Sequence, residues 1–425
     1  MFVYTVKKGD TLGNLASEFS VDFDDLLSAN GISADDILPV GASLIIPTNY
    51  ARHIIQKGDS LYSIALKYDT SVNNLLRLNP KLRPPYTIYP GDFIIVPDIV
   101  TKPIIDTNGY CYPSISDETL DKTLPYLTYI CIFSYNLLPD GNLKGIDDER
   151  IIRRAREQNV APMMVVTNIG DKGNFDSDLV KTFLTDDDAT EAFIDGIPAY
   201  LKERGYLGIN IDFEYVYAEN REDYNNFIKA LSQRLSSEGL MLSTALAPKV
   251  SDNQKGIVYE GHDYAFLGQW CDWVALMTYE WGYIAGPPLA VAPKVEVEKV
   301  LKYTLSVIPN DKILLGMPNY GYDWTLPFER GTKARTLNLN QAIDLARTTG
   351  SFIEYNTSSD APFFTYKDDM RRDHIVWFDD ARSIMARLNL VNEYNLRGIS
   401  FWTINNFFKP LYTITDSMFQ INKLL

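Results

Sequence analysis

The sequence predicts an α/β protein: a (β/α)8 TIM barrel preceded by two small βααβ domains. Three observations predict it. The first hundred residues contain an internal duplication. From about residue 103, apolar strand-like runs alternate with helical periodicity eight times. The 425 residues exceed one ordinary domain but suffice for a barrel of about 250 residues plus something smaller.

The duplication comes first in the chain. Tyr4-Thr5-Val6-Lys7-Lys8-Gly9-Asp10-Thr11-Leu12 aligns with His53-Ile54-Ile55-Gln56-Lys57-Gly58-Asp59-Ser60-Leu61 at an offset of 49 residues, and the same offset pairs Ala16 with Ala65 and Asn30 with Asn79. Each copy reads as a strand, a Gly-Asp turn whose Thr or Ser caps a helix, a second helix ending at Asn, and a closing strand, Ser43–Pro47 or Asp92–Pro97. The domain boundaries that follow are 1–49, 50–99 and 100–425. Both copies resemble the LysM module, which implies binding to GlcNAc-containing glycans through the loop after strand one and the loop after helix two. The matching positions are Gly9, Asp10, Thr11, Asn30 and Gly31, then Gly58, Asp59, Ser60, Asn79 and Pro80. Each has two readings, glycan contact or the capping of helices and shaping of turns, and the sequence leaves both open.

A short join, Asp98 to Pro103, is too brief for a long tether and predicts modules lying close to the barrel. The strand-like runs are Thr107–Tyr110, Tyr129–Ser134, Pro162–Val166, Gly208–Glu214, Leu242–Ala247, Trp273–Tyr279, Ile313–Pro318 and Gly398–Thr403. Eight such runs separated by helical patterns fit a closed parallel barrel. Between runs seven and eight, Leu326 to Asp373 exceeds an ordinary loop and is expected to carry a small helix and hairpin at the rim.

Composition excludes several classes. A net charge of −15 without a Lys/Arg cluster argues against nucleic acid and against ionic attachment to an anionic wall polymer. Affinity for a glycan would instead come from hydrogen bonds and sugar–aromatic contact, for which 27 Tyr, 20 Phe and 6 Trp are available. Cys111, Cys131 and Cys271 are odd in number and sit in or beside apolar runs, so buried thiols are expected rather than disulfides or a zinc site. His53, His262 and His374 lie too far apart in sequence to suggest a His-based metal site or a Ser-His-Asp triad, and no motif calls for a metal, nucleotide or organic cofactor. No run approaches 18 apolar residues and the N-terminus lacks the segments of a signal peptide, so a soluble chain without membrane association or a visible export signal is expected.

The fourth run carries the chemistry. Asn210, Asp212 and Glu214 alternate with Ile209, Ile211 and Phe213, which puts three polar side chains on one face of a strand. In a barrel that face looks inward, with Glu214 at the C-terminal mouth where such folds build their sites. Three polar groups in register are expensive to bury without partners, which favours function over structural ion pairing. A neighbouring carboxylate disfavours a second negative charge, so one carboxyl of the pair should stay protonated near neutral pH. That is what a glycosidic oxygen needs from a general acid, here Glu214, while Asp212 can orient a substrate amide.

This segment resembles the D-G-x-D-x-D-x-E signature of family 18 glycoside hydrolases, the chitinase-like enzymes. The resemblance extends from about residue 103 to the end: Met277-Thr278-Tyr279-Glu280 is similar to M-x-Y-D, Gly316-Met317-Pro318-Asn319-Tyr320-Gly321 to G-x-P-x-Y-G, and Trp402 to the family's tryptophan floor. It implies substrate-assisted retention, in which the sugar's 2-acetamido oxygen attacks the anomeric carbon. Glu214 would be acid and then base, Asp212 would hold the acetamido N–H, Tyr279 would hydrogen-bond the acetamido oxygen, and Trp402 would stack under the sugar. Asn210, Met277, Glu280 and Tyr320 would complete the substrate site. Tyr279 and Trp402 also fit as barrel-packing aromatics. The chain departs from the pattern at Leu207, Asn210 and Glu280, where the family has aspartates, and at Thr167-Asn168-Ile169-Gly170, where it has S-x-G-G.

Two LysM-like repeats, Asn210 and the M-x-Y-E motif together resemble the spore-cortex fragment-lytic N-acetylglucosaminidases of bacilli. That likeness implies peptidoglycan as partner, cleavage at N-acetylglucosaminyl bonds during germination, and residence in the spore's outer layers without a cleaved signal. Chitinase, muropeptide isomerase and a non-catalytic peptidoglycan-binding lectin stand as alternatives. The sequence favours a monomer.

Overall fold

The computed structural model describes residues 1–48, 50–80, 82–97 and 102–425. Most of the expected join, Asp98 to Thr101, lies outside the described residues.

Each repeat folds as the βααβ unit its pattern predicts. In the first, strands Phe2–Thr5 and Ser43–Ile46 pair antiparallel around helices Leu12–Phe19 and Phe23–Asn30. The second repeats this with Tyr50–Ile54, Leu61–Lys67, Val72–Leu78 and Phe93–Pro97. Thr11 and Ser60 cap the first helix of each copy by accepting from the N–H of Asn14 and Ser63.

Eight parallel strands close the barrel: Ile104–Cys111, Tyr129–Leu137, Ala161–Thr167, Gly208–Asp212, Met241–Leu246, Trp273–Leu276, Ile313–Pro318 and Gly398–Trp402. The first pairs with both the second and the eighth, which removes any free edge. Their near-continuous apolar character has a simple cause, since one face meets the helices and the other the barrel interior. Tyr129, Cys131, Ala161, Met163, Val165, Trp273, Ala275 and Leu314 fill that interior, a packed plug rather than a pore. All three cysteines are buried free thiols, and burial pushes each thiol up. Among the described residues, no helix is long and apolar enough to cross a membrane.

The segment between strands seven and eight is larger than the helix and hairpin expected. It begins at once after strand seven and forms a five-stranded antiparallel sheet, Gly321–Leu326, Arg335–Leu337, Glu354–Asn356, Ala361–Lys367 and Asp373–Trp377, backed by helix Leu339–Thr349. The sequence hid this because Gly321–Leu326 pairs with Asp373–Trp377, about fifty positions away, so local periodicity reports neither the pairing nor its extent.

The two modules differ in what buries them. The core of the first is continuous with that of the barrel. Val40 C=O accepts from Ile353 N–H (2.9 Å), Gly41 C=O from Arg382 Nη2 (2.9 Å), and Ala29 C=O from Thr413 Oγ1 (2.8 Å). The second module has a separate small core of Ile55, Ile64, Ala65, Leu75, Ile94 and Val96. Between the modules, the Arg52 guanidinium lies over Phe2 (4.0 Å) and Phe93 (4.4 Å).

Candidate active site

Ile209 and Ile211 of the fourth barrel strand join the outer core shared with the helices, while Asp212 at the end of that strand and Glu214 just beyond it line a cleft of about 400 Å³ at the C-terminal mouth. The alternation read from the sequence therefore separates the two faces as expected. Tyr110, Tyr112, Met277, Tyr279, Glu280, Tyr320 and Trp402 line the same cleft. Of the residues expected at the site, only Asn210 stands apart. It is fully buried, with Oδ1 accepting from Tyr110 OH (3.0 Å) and Nδ2 donating to Ser243 Oγ (2.9 Å), so its amide braces the barrel below the cleft.

Burial pushes the carboxyls of Asp212 and Glu214 well above the usual range, and the charges of Asp212 and Glu280 add to the effect on Glu214. Two neighbouring carboxyls disfavour simultaneous ionisation, so the charge of one raises the proton affinity of the other. Asp212 Oδ1 is buried without a hydrogen-bond partner among the described residues, so it has capacity to accept from a ligand N–H. Burial and the surrounding carboxylates push the Tyr279 phenol up as well, keeping it a neutral donor.

Glu280, where the family has aspartate, adopts a left-handed φ of 69°. Its carboxylate accepts from Tyr322 OH at 2.9 Å and from Tyr320 OH. Burial raises Glu280 and these two hydroxyls oppose the rise. Leu207, at the place of the signature's first aspartate, packs against the barrel-interior cluster, so an apolar contact stands in for a carboxylate. Trp402 is partly exposed to the cleft and is walled by Tyr110 (5.5 Å) and Phe133 (5.0 Å) edge-on.

Several lining residues were missed by sequence reasoning. Tyr110, near the end of strand one, and Tyr112, just beyond it, stand at alternate positions, a pattern that the strand-end logic could have caught. Asn319 lay inside a quoted motif. Its N–H donates to Trp402 C=O (2.9 Å) and its Nδ2 to Thr403 C=O (2.9 Å) and Asn406 C=O (2.8 Å), tying the exits of strands seven and eight together. Tyr322 and Thr336 come from the inserted sheet, and no local signal marked them.

Residues 108–406 match Glycosyl hydrolases family 18, and residues 4–47 and 53–97 each match the LysM domain. The chain belongs to family 18. As a member it is a glycoside hydrolase, its barrel joined to two LysM modules. It is 37% identical over 430 residues to the cortical fragment-lytic enzyme of Bacillus subtilis (strain 168), covering 100% of this chain and 99% of that one. The spore cortex-lytic enzyme SleL of Bacillus cereus superposes with a TM-score of 0.88 at 37% identity, covering 99% of this chain and 98% of that one. The SleL of Bacillus megaterium QM B1551 gives 0.89 at 34% identity, covering 100% and 99%.

Within the LysM modules, several residues expected at glycan contacts have structural partners. Asn30 Nδ2 donates to Leu26 C=O (2.8 Å) and Ile45 C=O (2.7 Å) while Oδ1 accepts from Ile45 N–H (2.7 Å); Asn79 does the same with Leu75 and Ile95. Asp10 accepts from Lys7 N–H and Tyr4 OH, and Asp59 from Gln56 N–H and His53 Nε2. Gly9 and Gly58 take φ of 94° and 99° in the turns. Gly31, in the left-handed cap after the second helix, abuts Lys409 of the barrel; Pro80 follows Asn79 at the end of the matching helix. Asp10 and Thr11 also line an open groove with Leu12, Gly13 and Asp35–Leu38, between the two loops at which the module was expected to meet glycan.

Proposed function

We propose that the chain hydrolyses spore-cortex peptidoglycan, or fragments of it, at N-acetylglucosaminyl bonds during germination, with retention through attack by the substrate's own acetamido oxygen. Glu214 protonates the leaving oxygen and then activates water; Asp212 accepts the acetamido N–H; the neutral Tyr279 hydroxyl donates to the acetamido oxygen; Trp402 stacks under the sugar. The observation that carries this reading is the pairing of Asp212 and Glu214 in one cleft, both carboxyls pushed upward, with Asp212 Oδ1 free of protein partners among the described residues. Full-length similarity to cortical fragment-lytic enzymes supports the substrate. The same similarity supports residence in the spore's outer layers, and the chain is read as acting as a monomer.

The bond follows from chemistry. Muramic δ-lactam ties its C2 nitrogen into a ring and has no free acetyl oxygen to attack, so the sugar at the cleaved position is GlcNAc and products end in reducing GlcNAc. Wild type and Glu214→Gln are incubated with intact and fragmented cortex, and reducing ends are identified by borohydride labelling and mass spectrometry. Loss of the acid should cost roughly a hundredfold to ten-thousandfold. Reducing muramic-lactam ends would overturn the bond assignment. Retention shifts at constant mass would point to isomerisation, unchanged substrate to a binding protein, and cleavage of chitin oligomers alone to a chitinase.

A further inference from the structure

Glu214 does not sit on a strand. The fourth barrel strand ends at Asp212, and Tyr215 takes a left-handed φ of 57°, so the main chain that carries the acid has left the hydrogen-bonded ladder. Buried main-chain polar groups outside a ladder need other partners, and the partners here are side chains from three separate segments. His262 Nε2 donates to Phe213 C=O at 2.9 Å. Asn168, fully buried at the end of the third strand, accepts from Glu214 N–H through Oδ1 at 2.9 Å and donates to Glu214 C=O through Nδ2 at 2.8 Å. Ser177 Oγ donates to Tyr215 C=O at 2.7 Å. Four main-chain groups over three consecutive residues are thereby fixed.

Asn168 is central because one planar amide engages both polar groups of the Glu214 backbone. The same Nδ2 reaches Asp176 C=O at 3.1 Å, and Asn168 C=O accepts from Asp176 N–H at 2.8 Å, which fixes the loop that closes over the amide. By contrast, no protein hydrogen bond fixes the Glu214 carboxyl among the described contacts, so its place beside Asp212, Tyr279 and Glu280 is set by its backbone.

We propose that Asn168 is a positioning residue for the proton donor, with Ser177 and His262 completing a main-chain brace around Glu214. The inference rests on Glu214 being that donor. A proton must be delivered to the leaving oxygen along a hydrogen-bond geometry, and a carboxyl displaced by about an ångström loses roughly a hundredfold in rate while ground-state binding of the sugars is little changed. Displacement also lets water reach the carboxyl and takes it away from the Asp212 and Glu280 charges. Both changes lower its affinity for a proton, so the alkaline limb of activity moves to lower pH.

The test measures kcat, KM and the pH profile of wild type, Asn168→Ala, Ser177→Ala and Glu214→Gln, with thermal unfolding of each, on cortex fragments and on N-acetylchitooligosaccharides. Asn168→Ala should lose roughly thirtyfold to three-hundredfold in kcat with KM within about threefold of wild type, and its alkaline limb should move to lower pH. Ser177→Ala removes a single contact and keeps the buried amide, so it remains informative if Asn168→Ala does not fold. It should lose roughly threefold to tenfold in kcat with the limb displaced in the same direction. An unmoved limb in either folded variant, with kcat falling only in step with the folded fraction, overturns the positioning role. Wild-type turnover in Glu214→Gln instead overturns the assignment of the donor itself.

Discussion

The Tyr322 hydroxyl donates to the Glu280 carboxylate at 2.9 Å, joining a residue of the inserted sheet to a residue at the end of barrel strand six. Through this contact the insertion becomes part of the acidic cleft. Tyr322→Phe keeps the ring and removes the donor, leaving the carboxylate with Tyr320 as its remaining hydroxyl partner among the described residues. Because hydrogen bonds to charged groups contribute about 1.5–3 kcal/mol, only part of which reaches the reacting centre, kcat/KM should fall roughly threefold to thirtyfold. Steady-state kinetics at wild-type activity would show that the insertion does not tune the cleft.

The pH response follows from signs. Glu214 acts protonated, and burial with the Asp212 and Glu280 charges pushes its carboxyl up, so the alkaline limb of kcat/KM should lie well above the ordinary glutamate range. Removing the negative charge with Glu280→Gln takes away one of the upward contributions, so the limb moves to lower pH. A displacement to higher pH, or none, would contradict the proposed electrostatic coupling.

Asn30→Ala separates the two readings of the LysM asparagines. The side chain joins the second helix to the closing strand through three main-chain contacts, all buried. Its loss should destabilise the first module by about 2–4 kcal/mol, as expected for buried donors and acceptors left unpaired. Urea unfolding at wild-type stability, together with weakened glycan binding, would instead favour direct contact.

Docking of the first module on the barrel can be tested at Gly41, whose φ is 87° and where an added Cβ would stand 1.9 Å from Ile353 C=O. Gly9 is the control, with φ of 94° and no atom of the described residues within 4 Å of an added Cβ. Both alanine variants carry backbone strain of about 1 kcal/mol, and Gly41→Ala adds a steric clash with barrel backbone. Gly41→Ala should therefore melt lower than Gly9→Ala and release the module to limited proteolysis. Equal melting temperatures would mean that the module is not tightly docked.

The sequence by itself determined the elements that arise from local pattern. The duplication at an offset of 49 residues became two βααβ units, because turn glycines and helix caps act over a few residues. Eight apolar runs became eight barrel strands, and the alternation around Asn210, Asp212 and Glu214 separated the cleft from the outer core. Only the tertiary structure decided which of those polar residues meets the cleft. Asn210 and Asp212 share one pattern, yet Asn210 is one layer deeper and is engaged by Tyr110 and Ser243, about 100 and 33 residues away in sequence. The union of Tyr322 with Glu280, the brace of Asn168 on Glu214, and the docking of Val40 and Gly41 on Ile353 and Arg382 were likewise decided by packing. Periodicity reports which face of a segment is buried, whereas the partner on the other side depends on how distant segments pack, and that information is not local to either one.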